Sequence, residues 1–238
     1  MRDERDREPT QPGNGGQEAE AELRARVIDQ SPAVFVTLVS VLVGLVLSDL
    51  VTEARTHMRL WPLDFMAVRT WGQLFSNGTS ALSVWIVMAH LGVARRRVPH
   101  LTETVIAFAP PLVLLAATSF VGRPQIWPWF YGASAYLVTA LVADTLYVRL
   151  TMDQPTGQRF ARLLHPLGHH LVIYLGIPTY LAGAYLDQHG WLPPALELTL
   201  ALFPIPAALI VTWMFFRDWR IALDSKTPAE VASGGRRS

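Results

Sequence analysis

The sequence predicts an all-α, polytopic integral membrane protein with six transmembrane helices. Three observations carry that prediction. The chain contains six long apolar runs, Ser31–Val51, Phe75–Ala94, Leu101–Val121, Trp129–Val148, Leu167–Leu186 and Ala195–Phe216. Each approaches the length of about 20 residues that crosses about 30 Å of hydrocarbon. Charged residues make up only 16% of the 238 positions, against about 25% in soluble domains, and mean hydropathy is +0.27. Finally, the basic residues alternate between connections. With both termini cytoplasmic, sixteen Arg and Lys residues lie inside and only Arg55, Arg59, Arg69 and Arg123 lie outside, as the positive-inside rule requires.

Residues 1–30 are charged, contain Pro, Gly and Gln, and read as a disordered or interfacial cytoplasmic tail. They hold no apolar core, so no cleavable signal peptide is expected and the first apolar run directs insertion. That run, Ser31–Val51, carries 13 Val, Leu and Phe residues. At about −0.4 kcal/mol each they outweigh the roughly +3 kcal/mol of its one aspartate, Asp49. Positions 52–74 turn polar and then aromatic (Trp61, Phe65, Trp71), the pattern of an amphipathic segment lying in the interface. The second run ends at Arg95-Arg96-Arg97, which reads as a topology signal; no nucleic-acid partner is expected.

The third run is divided by Pro110 and Pro111. Each proline removes a backbone donor and crowds the preceding turn, freeing the carbonyls of Ile106 and Ala107. Such breaks are tolerated in a bilayer where neighbouring groups satisfy those carbonyls. The fourth run opens beside Trp127 and Trp129, residues suited to an interfacial belt. The fifth starts at His169-His170 and contains Pro178, and the sixth contains Pro204 and Pro206. The six-helix domain therefore spans 31–216, and 217–238 form a basic cytoplasmic tail.

An inverted 3+3 repeat is one reading of the two halves. At an offset of 95, Asp49 falls on Asp144 and Pro111 on Pro206. Three helices per half would insert the second half upside down, the arrangement of many secondary transporters. The recurrence of apolar residues in evenly spaced helices is the competing explanation.

Candidate chemistry is sparse. Ser76, Ser80, Ser83, Val87 and His90 recur at steps of four and three, so they share a helix face. Hydroxyls on one face allow close packing and cross-helix hydrogen bonds, or line a polar pathway. Gly176, Thr179 and Gly183 offer a matching face on the fifth helix. Ionisable residues group by depth: Asp144, His90, Glu103, His169 and His170 towards the cytoplasm, Asp49, Glu53 and Glu197 towards the outside. Charges at such depths are costly and are therefore candidates for an ion or substrate path. His90, His169 and His170 are the candidates for a metal, and His90 with His169 for haem ligation. No cofactor motif is present and no cofactor is expected. Gly78-Thr79-Ser80 falls short of a hydrolase nucleophile elbow, and the chain lacks cysteine altogether. Arg69 followed by Phe75-Ser76-Asn77 does not meet the arginine-then-FSD signature of one potassium-channel class, in spacing or in its last residue.

The function expected from this pattern is that of a small transporter or channel-like protein of the cell membrane. A homo-oligomer is expected, because six short helices leave little room for an enclosed path. The rival classes are a redox or hydrolytic enzyme built on the histidines, and a membrane scaffold with no substrate.

Overall fold

The computed structural model describes residues 14–57, 64–94, 101–151 and 167–224. All secondary structure among them is helical. The seven helices are α1 Asn14–Thr56, α2 Phe65–Ala94, α3 Leu101–Thr118, α4 Trp127–Thr151, α5 Leu167–Gln188, α6 Pro194–Leu202 and α7 Pro204–Asp224.

Within α1 the segment Asp29–Thr56, of 28 residues and mean hydropathy 2.5, is the one described helix that is long and apolar enough by length and composition to cross a membrane. Val105–Thr118 and Pro194–Ile210 are shorter apolar stretches. The α1 helix begins at Asn14, so most of the tail predicted to be disordered is helical; residues 1–13 lie outside the described residues. The run Ala19–Arg26 is rich in Ala, Glu, Leu and Arg, strong helix formers, and its Glu22–Arg26 pair one turn apart (2.6 Å) adds to the helix.

The second helix also begins earlier than predicted, at Phe65 instead of Phe75. Asp64 caps it: its carboxylate accepts the Ala67 N–H at 2.7 Å. Nearly three extra turns therefore belong to the bundle, not to an interfacial segment. They matter because α2 is the central helix, packed against α1, α3, α6 and α7. Its buried residues run from Ala67 to Met88.

The remaining pairs are α3 with α4, α4 with α5 and α1 with α3, with smaller contacts of α6 to α5 and α7. The α3–α4 crossing is close because small residues meet there: a Cβ on Gly132 would stand 2.7 Å from that of Ala117. On α5, Gly176 and Gly183 admit Leu137 and Leu200 in the same way. Thr179, predicted on the same face, is instead exposed and bonds its own Leu175 carbonyl at 2.6 Å. The predicted α5 partner face is thus a pair of packing glycines turned to α4 and α6.

Proline acts differently at each site. Pro110 and Pro111 lie inside a continuous α3, and Pro178 inside a continuous α5. The fixed proline φ suits a helix, and both rings of the α3 pair are fully buried, so their packing holds the helix together. Only the last predicted helix is interrupted. It divides at Phe203 into α6 and α7, with Pro204 opening α7 and Pro206 in its first turn; Phe203 keeps helical angles (φ −55°, ψ −37°) and bonds the Thr199 carbonyl at 2.9 Å, so the interruption is a gap in the hydrogen-bond ladder. The interruption is present in one half of the chain alone, so the matching breaks expected of an inverted repeat are not both formed.

The turns are built from their own chemistry. The α5 helix ends with Gly190 at φ +67°, its N–H on the Asp187 carbonyl (3.0 Å) and the Trp191 N–H on that of Leu186 (2.8 Å). That is the double bond pattern of a left-handed helix cap. After α3, Gly122 at φ +70° reverses the chain. The Trp127 N–H, first in α4, is accepted by Asp187 at 3.0 Å.

Candidate functional site

The inner face of α2 carries a buried polar column. Arg69, Gln73 and Asn77 recur every four residues, and Ser76, Ser80 and Ser83 form the adjoining row; all six are buried. At the Arg69 end, the guanidinium forms an ion pair with Glu197 from α6. It also donates to the carbonyls of Arg123 and Pro124 in the α3–α4 turn. Gln73 accepts the Gly122 N–H at 3.0 Å from the same turn. One residue thereby ties α2 to α6 and to the α3–α4 turn. Arg69 Nε and Gln73 Nε2 have no hydrogen-bond partner among the described residues.

One turn deeper, Asn77 donates to Thr118 (3.3 Å) and accepts the Trp129 indole N–H (3.3 Å). Ser76 donates to the Ala201 carbonyl at 2.5 Å, and Tyr180 to the Leu200 carbonyl at 3.2 Å. These two carbonyls lie just before the Phe203 interruption. Pro204 has no N–H to offer Leu200, and Tyr180 takes the place of that missing donor. Ser80 bonds Tyr136. Ser83 meets Thr212 of α7 at 2.9 Å and its own Thr79 carbonyl at 2.8 Å.

Beside this column lies a cavity of about 110 Å³. Ser76, Asn77 and Ser80 form one wall, Trp129 and Tyr136 of α4 another, and Phe203 and Pro204 a third. The interruption between α6 and α7 thus opens onto it. Its described lining includes no carboxylate, histidine, lysine or arginine.

The predicted site residues fare unequally. Ser80 and Ser83 are buried and engaged as above. Glu197 is buried too, and its partner is Arg69. Asp49 is half-buried on α1 and makes no hydrogen bond or ion pair among the described residues. Glu53 lies 3.6 Å from His57, one turn along α1. For Asp144, Glu103, His90, His169 and His170 only the helical backbone is described; their side chains lie outside the described residues. Among the described residues no three His, Cys, Asp or Glu side chains gather as a metal site would require.

Arg69, Gln73 and Asn77 were missed by the sequence reading. Starting the helix at Phe75 cut the first two away from the third. The signal was the four-residue spacing of long polar side chains running directly into the serine stripe, which only one continuous helix explains.

Comparison with family models, with curated proteins and with solved structures returns no match.

Proposed function

We propose that the chain is a small transporter that crosses the bilayer six times, with both termini cytoplasmic, and passes an uncharged hydrogen-bonding solute through the cavity beside the α6–α7 interruption. In this reading α1 to α5 are five spans and α6 with α7 the sixth.

Support for the spans comes from the outward faces. Val34, Leu38, Val41 and Leu45 form an exposed stripe on α1 at steps of four, three and four. Leu82 and Trp85 on α2, Val105 and Leu112 on α3, Val138 and Val142 on α4, Leu175 and Leu181 on α5, and Leu209, Ile210 and Trp213 on α7 are exposed as well. Apolar surface on every long helix suits hydrocarbon and is rare on soluble monomers. The 18 residues of α3 rise about 27 Å, close to the hydrocarbon thickness. The polar residues of α2 point inward, so its average composition understates how apolar its outer face is.

The observation that carries the transport reading is the coincidence of cavity and interruption. Discontinuous helices build solute sites in membrane transporters because their ends expose backbone groups away from lipid. Hydroxyls, an amide and an indole without a full charge in the wall favour a neutral solute. The volume is below the about 150 Å³ of a cavity that accepts benzene, which limits the solute to a few heavy atoms. Since the cavity is built within one chain, the reading does not need a second copy. The rival, a scaffold with no solute, is favoured by one fact: most of the column's polar groups are already paired within the chain.

Vesicle permeability separates the two. The full chain in liposomes is expected to speed the re-swelling of vesicles shrunk with urea, formamide or ethylene glycol, relative to protein-free vesicles. Ala140→Phe, which fills the cavity from α4, is expected to remove that gain. Equal rates with and without protein for all three solutes would overturn transport and leave the scaffold. Reporter fusions placing the 152–166 connection outside the cell would overturn the topology.

A further inference from the structure

A second concavity lies on the outside of the bundle, along the α3–α4 seam. Val113, Ala116 and Phe120 of α3 face Tyr131 and Ala135 of α4 across a groove of about 700 Å³. The small side chains make its floor, where the Gly132–Ala117 contact brings the helices together. The aromatic rings make its walls. From Trp127 to Ala135 the groove follows about 12 Å of helix.

Its mouth carries one cation. Arg123 lines the groove, is exposed, and stacks over the Phe120 ring at 5.0 Å. Its Nε–H donates to the Ser119 carbonyl at 3.0 Å. These two contacts fix the guanidinium at the groove's end without using its terminal NH₂ groups. Among the described residues no carboxylate pairs with it. Asp187, the acidic group near Trp127, is turned to the first N–H of α4. Arg69, which donates to the Arg123 carbonyl from α2, shows the contrast: it is buried and neutralised by Glu197.

An apolar trough two turns long with an unneutralised, held guanidinium at its mouth fits one kind of molecule. We infer that the α3–α4 groove binds an anionic glycerophospholipid, its phosphate on Arg123 and the first part of one acyl chain along Val113, Ala116 and Ala135. Arginine's planar set of donors is well matched to phosphate oxygens. The aromatic rings of Trp127 and Tyr131 stand beside the headgroup level, where such rings are favoured. This inference rests on the membrane reading above and is independent of the solute proposed for the inner cavity.

The test is lipid binding to the full chain, purified in detergent and stripped of lipid, measured by native mass spectrometry. Phosphatidylglycerol and diacylglycerol of the same acyl chains are the two probes, with inorganic phosphate as competitor. Wild type is expected to retain phosphatidylglycerol more strongly than diacylglycerol. Arg123→Gln is expected to weaken phosphatidylglycerol about fivefold, the size of one basic residue's attraction to an anionic lipid, and to leave diacylglycerol unchanged. Arg123→Lys is expected to keep most of the affinity. Ala135→Trp, which fills the trough, is expected to lose both lipids. Phosphatidylglycerol binding that is indifferent to Arg123→Gln and to Ala135→Trp would overturn the site. Displacement by millimolar inorganic phosphate would overturn the lipid in favour of a free anion. A chain that is monodisperse without detergent would instead remove the membrane reading, and is recognised before any lipid is added.

Discussion

Replacing Glu197 by leucine removes the counter-charge of Arg69, a residue that is 2% exposed. Taking one partner from a buried ion pair costs about 3–5 kcal/mol, because the remaining charge stays desolvated and unpaired. Here Arg69 keeps the carbonyls of Arg123 and Pro124, in a turn whose residues 123–125 are exposed. The lower end of the range is therefore expected, about 3 kcal/mol. For a chain of this size each kcal/mol shifts the unfolding midpoint by about 2–4 °C, so the expected loss is about 6–12 °C. Arg69→Met strands the carboxylate instead and is expected to cost at least as much. The double variant, Arg69→Met with Glu197→Leu, leaves no buried charge among the described residues. Its two freed carbonyls belong to the exposed turn, which water can reach. Its midpoint is expected within about 4 °C of wild type, above either single variant. The assay is thermal unfolding of the detergent-solubilised chain followed by tryptophan fluorescence. Single-variant losses under about 3 °C, or a double-variant loss equal to the sum, would refute the claim that this pair is buried and coupled.

Two further outcomes follow from backbone geometry. Gly122 and Gly190 share the same left-handed φ, but a Cβ on Gly122 would overlap the His57 ring while one on Gly190 meets nothing within 4 Å. Gly190→Ala is expected to cost about 1–2 kcal/mol, Gly122→Ala clearly more, and His57→Ala is expected to recover only the difference; denaturant midpoints measure all three. Gly132→Ala is expected to cost about 1–3 kcal/mol by overpacking the α3–α4 crossing. Ala117→Gly in the same chain is expected to return most of it, because Ala117 Cβ is the atom met.

What the sequence made legible was set by periodicity. Helices with an unbroken apolar pattern were located within a few residues, as α4 and α5 show. The start of α2 was not, because Arg69 and Gln73 look like surface residues until a partner buries them. Glu197 lies 128 positions from Arg69, and no local pattern encodes a contact of that separation. Ser76, Ser80 and Ser83 of the predicted stripe are buried together on α2. Their counterparts, the Ala201 carbonyl, Tyr136 and Thr212, come from helices whose packing order the sequence leaves open. The prolines divide on the same principle. Pro110 and Pro111 are chemically suited to break a helix, yet burial of both rings holds α3 continuous. Before Pro204, by contrast, the Leu200 and Ala201 carbonyls accept the hydroxyls of Tyr180 on α5 and Ser76 on α2, so a gap in the helix ladder is tolerated there.

That last contrast can be tested directly. In wild type Leu200 lacks an amide donor from position 204, and Tyr180 supplies one. Tyr180→Phe is therefore expected to cost about 1 kcal/mol. In Pro204→Ala the restored N–H competes for the same carbonyl, so the added Tyr180→Phe is expected to cost less than half as much. The difference between those two costs is the coupling between proline and tyrosine. The restored N–H would also release the Tyr180 hydroxyl into the cavity that Tyr180 lines. Pro204→Ala is thus expected to raise the unfolding midpoint while lowering solute permeability, a gain in stability at the expense of function. Equal Tyr180→Phe costs in both backgrounds would mean that the interruption at Phe203 is imposed by packing, and that Pro204 merely occupies it.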